Sequence, residues 1–446
     1  MPAMPASQTD SHVFSRVLGR TLPVVARAKG VEVWDTDGRR YLDGSSGALV
    51  VNVGHGREEV AAAMSRQASA AGYVHGTQFT SEALEEYARR LSAHGPGGCD
   101  RLYLVSGGSE ANETAVKIAR AYHRARGEPE RHKVVRRSVS YHGNTLFTLS
   151  LSGRPTLRAP YEPMLQDPPQ VPAPFCFHCP LERSFPACGV VCADEVEETI
   201  LREGPKTVAA FVAEPILGAS AGAAVPPEDY ARRARDACRR HGVLYIDDEV
   251  MTGFGRTGAW FASEWSGIQP DLVTCGKGMS GGYMPVGAVL ARPEIVRELE
   301  AAGGFVHGFT FSHHPVTAAA CLAVLEILER EELVPRAKAL GVLLHERLER
   351  LLHHPHVGDV RGRGLMWGVE LVDSVTQRKP FPRSAGWTAA VTAGCLKAGL
   401  IVYPSTGCAN GVDGDAVMLA PPFVATESEL AEMVDILDHV LFALGL

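Results

Sequence analysis

The sequence predicts an α/β protein with two parts: a large domain on a mostly parallel sheet with helices on both faces, and a smaller α+β domain from the two chain ends. Three observations predict it. From Arg101 to Cys275 short apolar runs alternate with helical stretches, the pattern of a parallel sheet with covering helices. At 446 residues the chain exceeds a single hydrophobic core, so a second domain is expected. Hairpin-like and helical patterns at the two ends fall outside the alternation. The expected boundaries are 1–75 for a tail and hairpin segment belonging to the small domain, 76–332 for the large domain, and 333–446 for the rest of the small one.

The elements follow in chain order. Glu32–Asp35 and Arg39–Asp43 read as two strands joined through an Asp-Gly turn. Glu58–Ala71 and Ser81–His94 have helical spacing. The alternating stretch then runs through Arg101–Val105, Glu110–Arg126, Lys133–Val135, Val208–Ala213, Pro227–His241, Val243–Ile246 and Leu272–Cys275. One long helical stretch is expected from Pro315 past Pro335 to about Leu352. Arg361–Gly364, Leu365–Val372, a helix over Ala385–Ala398 and a last helix over Glu427–Leu444 complete the tail.

Composition excludes several classes. Apolar residues make up 45% and charged residues 21%, the balance of an ordinary globular chain. A net charge of −7, without a basic stripe interleaved with aromatics, argues against nucleic acid as a partner. No apolar run approaches the roughly 18 residues that span a bilayer, so a soluble protein is expected. Met1–Asp10 lacks a basic start and an apolar core, and reads as a tail and not a signal peptide. Cys238, Cys275, Cys321 and Cys395 lie on apolar faces, as reduced core residues of a cytoplasmic protein would. Cys176, Cys179, Cys188 and Cys192 cluster around a proline-rich segment, Pro168–Pro186. They suit either a four-thiolate zinc staple or local packing of free thiols.

Ligands of an open parallel sheet bind beyond the carboxyl ends of its strands, so the residues ending the apolar runs carry the chemistry. Lys277 stands out. It ends the run Leu272–Cys275 between Gly276 and Gly278, where small neighbours leave room for an amine that can form an imine with a carbonyl compound. Leu102–Val105 ends in Ser106-Gly-Gly-Ser109 and passes directly into a helix; that is either a phosphate cup or an ordinary tight turn. Val243–Ile246 ends in Asp247-Asp-Glu249, acids that need a cation, a metal, a protonated ring nitrogen or a helix start to meet them. Glu214 ends Val208–Ala213 at the same edge. Tyr141 and His142 precede Gly143, where either ring could stack on a planar ligand or simply pack. An imine anchor, a phosphate anchor, a carboxylate for a ring nitrogen and a stacking face are together the requirements of pyridoxal phosphate.

These stretches resemble those of the class III aminotransferases, the fold-type I pyridoxal-phosphate enzymes that act on ornithine, 4-aminobutyrate and ω-amino acids. The resemblance rests on Ser106–Asn112, Tyr141–Gly143, Ile246–Gly258, Gly276–Gly278 and His307–Ser312, and runs from about Val31 to the last helix. Gly107-Gly108 before Ser109, and His313 in Phe311–Pro315, depart from the usual pattern. The resemblance implies that Lys277 carries the internal aldimine and shuttles the proton. Asp248, aligned with the family's Asp-Glu-Val, pairs with the pyridine nitrogen, and Glu214 supports it. Gly108 and Ser109 hold the phosphate, Val250 packs on the ring face opposite Tyr141, and Thr310 reaches the phosphate of a neighbouring subunit in a homodimer.

The reaction so implied is ping-pong transfer of an amino group from an amine or amino acid to a carbonyl acceptor. Leu49 stands near a position where the family often has tryptophan, which suggests a more open substrate entrance. Tyr403–Pro422 has no arginine or lysine, which suggests a substrate without a carboxylate near the reacting carbon, unless Arg158 or another arginine serves. Racemases, epimerases and aminomutases share the scaffold and remain alternatives, as does a catalytically idle cofactor-binding protein.

Overall fold

Asp35 sets the first turn of the chain. Its Oδ1 accepts hydrogen bonds from the backbone N–H of Asp37 (3.0 Å) and Arg39 (2.9 Å), and Tyr41 donates to Oδ2 (2.8 Å). With Gly38 at φ 83°, this turn folds β2 (Glu32–Asp35) onto β3 (Arg40–Asp43), and β1 (Val25–Lys29) adds to the other side of β2. The computed structural model describes residues 12–446 except Arg20; the expected N-terminal tail lies outside the described residues.

The large sheet contains β4 (Arg101–Val105), β5 (Lys133–Arg137), β6 (Gln170–Val171), β7 (Val208–Ala213), β8 (Leu244–Asp248), β9 (Leu272–Gly276) and β10 (Gly287–Ala291), in the spatial order β4-β10-β9-β8-β7-β5-β6. Only β10 runs against its neighbours. Its Gly-Ala-Val-Leu-Ala sequence follows closely on the Lys277 turn, and a strand there was not expected. Every residue of β7, β8, β9 and β10 is buried, as both faces of a parallel sheet must be. The mostly parallel α/β sheet expected from the alternating pattern is present.

The expected single helical stretch after Pro315 is two helices, Pro315–Arg330 and Leu333–Glu349, broken by Glu332 at φ 48°. Pro335 explains the break. It has no N–H to donate and its ring would strike the preceding turn of a continuous helix, whereas a first turn tolerates it. Beyond lie β11 (Val357–Arg363), β12 (Met366–Ser374), β13 (Lys379–Pro380), β14 (Leu400–Ile401), β15 (Tyr403–Thr406) and β16 (Asp415–Leu419). β11, β12, β16 and β15 form an antiparallel sheet, whereas β14 returns to pair in parallel with β3. The last helix, Glu427–Leu444, opens on a capping box in which Thr426 Oγ1 accepts from Glu429 N–H and Glu429 Oε2 accepts from Thr426 N–H.

The two chain ends are stitched together. Ala420 N–H donates to Gly44 O (2.7 Å) and Phe423 N–H to Asn52 O (2.8 Å). Arg256, wholly buried, donates to Leu365 O, Pro421 O and Ser46 Oγ, so one guanidinium joins the segment after β8 to both ends. No described helix is long and apolar enough to cross a membrane.

Candidate active site

Lys277 follows the last residue of β9 and adopts a left-handed φ of 46°, turning the chain sharply off the sheet. Asn52 fixes the turn: its Nδ2 donates to Gly278 O (3.0 Å) and Phe254 O (3.2 Å). A Cβ on Gly278 would lie 2.9 Å from that nitrogen, so the flanking glycine is required. The amine lines a cavity of about 640 Å³. Burial lowers its pKa to about 8, a shift that the carboxylates of Asp248 and Glu214 partly oppose.

Asp248 ends β8, the strand beside β9. Its Oδ2 accepts from His142 Nδ1 (2.7 Å) and Asn112 Nδ2 (2.9 Å), and its Oδ1 from Val250 N–H (3.2 Å). With its proton on Nδ1, His142 leaves Nε2 buried and unpartnered, and the imidazole is a brace for the carboxylate. Asn112 is held in turn by Thr274 on β9, whose hydroxyl donates to its Oδ1 (3.1 Å). Glu214, beyond the end of β7, accepts from Tyr141 N–H (3.1 Å) and Gly218 N–H (3.0 Å). Its own pKa is raised, chiefly by burial.

The helix Gly108–Ala125 starts where β4 ends, and the first amides of a helix have no partner within it. Two glycines keep the approach open. A Cβ on Gly108 would lie 2.9 Å from Val250 Cγ1, and one on Gly143, at φ 139°, would lie 2.5 Å from both Ser109 Oγ and Thr148 Oγ1. Ser109 Oγ accepts from Asn144 N–H (3.0 Å), which fixes the hydroxyl at the helix start. The donor set suits a phosphate, and the braced Asp248 suits a protonated ring nitrogen. The residues present therefore fit pyridoxal phosphate.

Gly108, Ser109, Tyr141, His142, Glu214, Asp248, Val250 and Lys277 all line this one cavity. One expected residue does not. Leu49 is buried with Ile216, Met366 and Met418, and Val50 takes its place in the wall. Thr310 lies exposed outside the cavity, where its carbonyl accepts from the Tyr73 hydroxyl (3.0 Å). Arg158 is also elsewhere, donating to Ser150 O and Glu162. Cys176, Cys179, Cys188 and Cys192 are all free thiols, the first three half-buried and Cys192 buried. No three of their sulfurs lie within 4.8 Å of one another, and the zinc site offered by their spacing is not supported.

Sequence reasoning missed Asn52, Asn112 and Arg154. Asn112 had a readable signal, being a polar side chain on the buried face of a helix directly after the phosphate turn. Asn52 and Arg154 lie in irregular segments with no periodicity to mark them.

Known proteins share much of this sequence and fold. Residues 14–441 match the family model for class-III aminotransferases. A probable aminotransferase of Mycobacterium tuberculosis is 39% identical, over 95% of this chain and 90% of its own length. A putrescine–pyruvate aminotransferase of Pseudomonas aeruginosa is 35% identical, over 92% of this chain and 88% of its own. Among solved structures, a thermostable (S)-enantioselective omega-transaminase from Thermomicrobium roseum superposes with a TM-score of 0.89 at 38% identity, covering 95% of this chain and 93% of that one. The chain belongs to the class III aminotransferase family.

Proposed function

We propose that this enzyme moves an amino group from an amine or amino acid donor to a carbonyl acceptor by a ping-pong route, with Lys277 as both cofactor anchor and proton carrier. The family uses pyridoxal phosphate, which supplies an electron sink for the carbon that loses its proton. The observation that carries the reading is the adjacency of Lys277 and Asp248 at the ends of neighbouring strands, above a glycine-lined helix start.

Each residue has a task. Lys277 Nζ, with a pKa near 8, exists partly as a free amine in mildly alkaline solution and can take a proton from the donor carbon and return it. Asp248, its carboxyl group braced by three donors, would hold a proton on the ring nitrogen. The amides around Gly108 and Ser109 would bind the phosphate. Tyr141 and Val250 would flank the ring and limit water.

A homodimer with shared sites accords with Thr310 lying outside its own cavity in a surface that exposes Tyr73, Phe79, Val306 and Phe311. The names of relatives, a putrescine–pyruvate aminotransferase and a gamma-aminobutyrate transaminase among them, support small amine donors with a small oxo-acid acceptor.

The test is a panel of amine donors mixed with the holoenzyme in single half-reactions and followed by bleaching of the visible cofactor band, with pyruvate or 2-oxoglutarate then restoring it. Stoichiometric appearance of the donor's carbonyl product is expected. Isomerisation of an amine with no acceptor present would replace the reading with a racemase or aminomutase.

A further inference from the structure

Where the last helix meets the segment after the helix Leu333–Glu349, three side-chain acceptors converge. The turn Arg350–His353 ends at His353, and His354 leaves it extended (φ −69°, ψ 139°), as the following Pro355 favours. That change of backbone sets the rings of two adjacent residues side by side, with centroids 4.1 Å apart. Each ring is oriented by a main-chain oxygen: His353 Nδ1 faces Arg350 O, and Nδ1 of the buried His354 faces Leu446 O (3.0 Å). Such an oxygen only accepts, so both Nδ1 atoms carry a hydrogen and both rings, when neutral, present the lone pair of Nε2. The two Nε2 atoms meet one carboxylate oxygen. Asp438 Oδ1, on the last helix, lies 2.7 Å from that of His354 and 3.8 Å from that of His353. One ligand atom from each of the three residues lies within 4.8 Å of the other two.

A proton on His354 bridges only the shorter contact, because 3.8 Å is too long for a hydrogen bond. A divalent ion answers all three acceptors. With bonds of about 2.0–2.2 Å to imidazole nitrogen and carboxylate oxygen, a tetrahedral centre holds its ligand atoms roughly 3.4 Å apart, between the two distances seen. An N–H bond from the far side of the ring to a carbonyl is also what orients a metal-ligating imidazole. Two nitrogens to one oxygen select zinc, nickel or cobalt over magnesium and calcium, which take oxygen.

We propose that His353, His354 and Asp438 bind one divalent ion of the zinc class, which fastens the last helix to the segment before β11. None of the three lines the Lys277 cavity, and the site contains no cysteine. It goes beyond the aminotransfer reading and does not depend on it.

The test titrates chelator-washed holoenzyme calorimetrically with ZnCl2, alone and in excess MgCl2, as wild type, His353→Ala and Asp438→Asn. Wild type should bind one equivalent at least about 10-fold more tightly than either variant, since losing a direct ligand costs no less than losing the partner that orients one. Magnesium should leave the isotherm unchanged. Zinc should raise the thermal midpoint of wild type and not of the variants, because an ion that binds only the folded chain stabilises it by mass action. The half-buried thiols of Cys176, Cys179 and Cys188 compete for zinc, but their uptake would be the same in all three proteins. Equal affinity in wild type and variants, no uptake by wild type, or displacement by magnesium would overturn the assignment. Retention of the visible cofactor band shows that a variant is folded; if one loses it, the other decides by the same criteria. Anomalous scattering at the zinc edge from wild-type crystals should place the ion between the three residues, and an ion found only elsewhere would sink the proposal whatever the variants do.

Discussion

Lys277 is an amine held in a place that disfavours its charged form, and that has a measurable cost. Its pKa in the folded chain is about 8, below the ordinary lysine value of 10.5. Below about pH 8 folded and unfolded chains both carry the proton, and the penalty for burying the ammonium is present in full. Between pH 8 and 10.5 the unfolded chain binds more protons than the folded one, so stability rises with pH. Urea unfolding of cofactor-free protein should therefore show wild type less stable than Lys277→Met at pH 7, by about 1–3 kcal/mol after allowing for the solvent that reaches the cavity. The gap should shrink as the pH is raised toward 10. A gap independent of pH would mean that the ammonium is not penalised.

At the scale of elements, the site depends on where strands stop and on which residues cannot carry a side chain. Gly143→Ala tests this. The new Cβ would displace Ser109 and Thr148 together, and its φ of 139° is one that alanine resists. Equilibrium dialysis should show cofactor affinity reduced at least about 10-fold, with far-UV circular dichroism unchanged. Retained affinity would remove Ser109 from the phosphate cup. Much of this was legible in the sequence, because a strand-ending polar residue interrupts an apolar run: Ser109, Glu214, Asp248 and Lys277 all announced themselves that way. The strand β10 was not legible, because it follows the glycine-rich turn after Lys277 with no helical stretch between, outside the strand–helix alternation. Asn52, Asn112 and Arg154 were missed because each acts by reaching a residue distant in sequence. Leu49 shows the reverse error. A position inferred from family pattern turned its side chain into the core and left its neighbour Val50 at the cavity.

Across the whole molecule, Arg256 joins segments that no single motif connects. Burial holds its pKa down at about 9, and its acceptors are two main-chain carbonyls and a hydroxyl, with no carboxylate among them. Arg256→Met should lower unfolding stability by about 2–4 kcal/mol, because the carbonyls of Leu365 and Pro421 would be left buried without donors. A shift of the urea midpoint toward lower denaturant at constant slope would show this; an unchanged midpoint would mean that water replaces the guanidinium.

The stitching of the two chain ends also has a timetable. Strand β3 and Asn52 emerge early from the ribosome, yet β14, Ala420 and Phe423, their partners, are translated more than three hundred residues later. At about 5–20 residues per second that wait is on the order of half a minute. Throughout it β3 lacks its parallel neighbour and Asn52 lacks its tie to Phe423. The nascent chain can thus complete its central sheet before Phe423 arrives to tie down Asn52, the residue that braces the Lys277 turn.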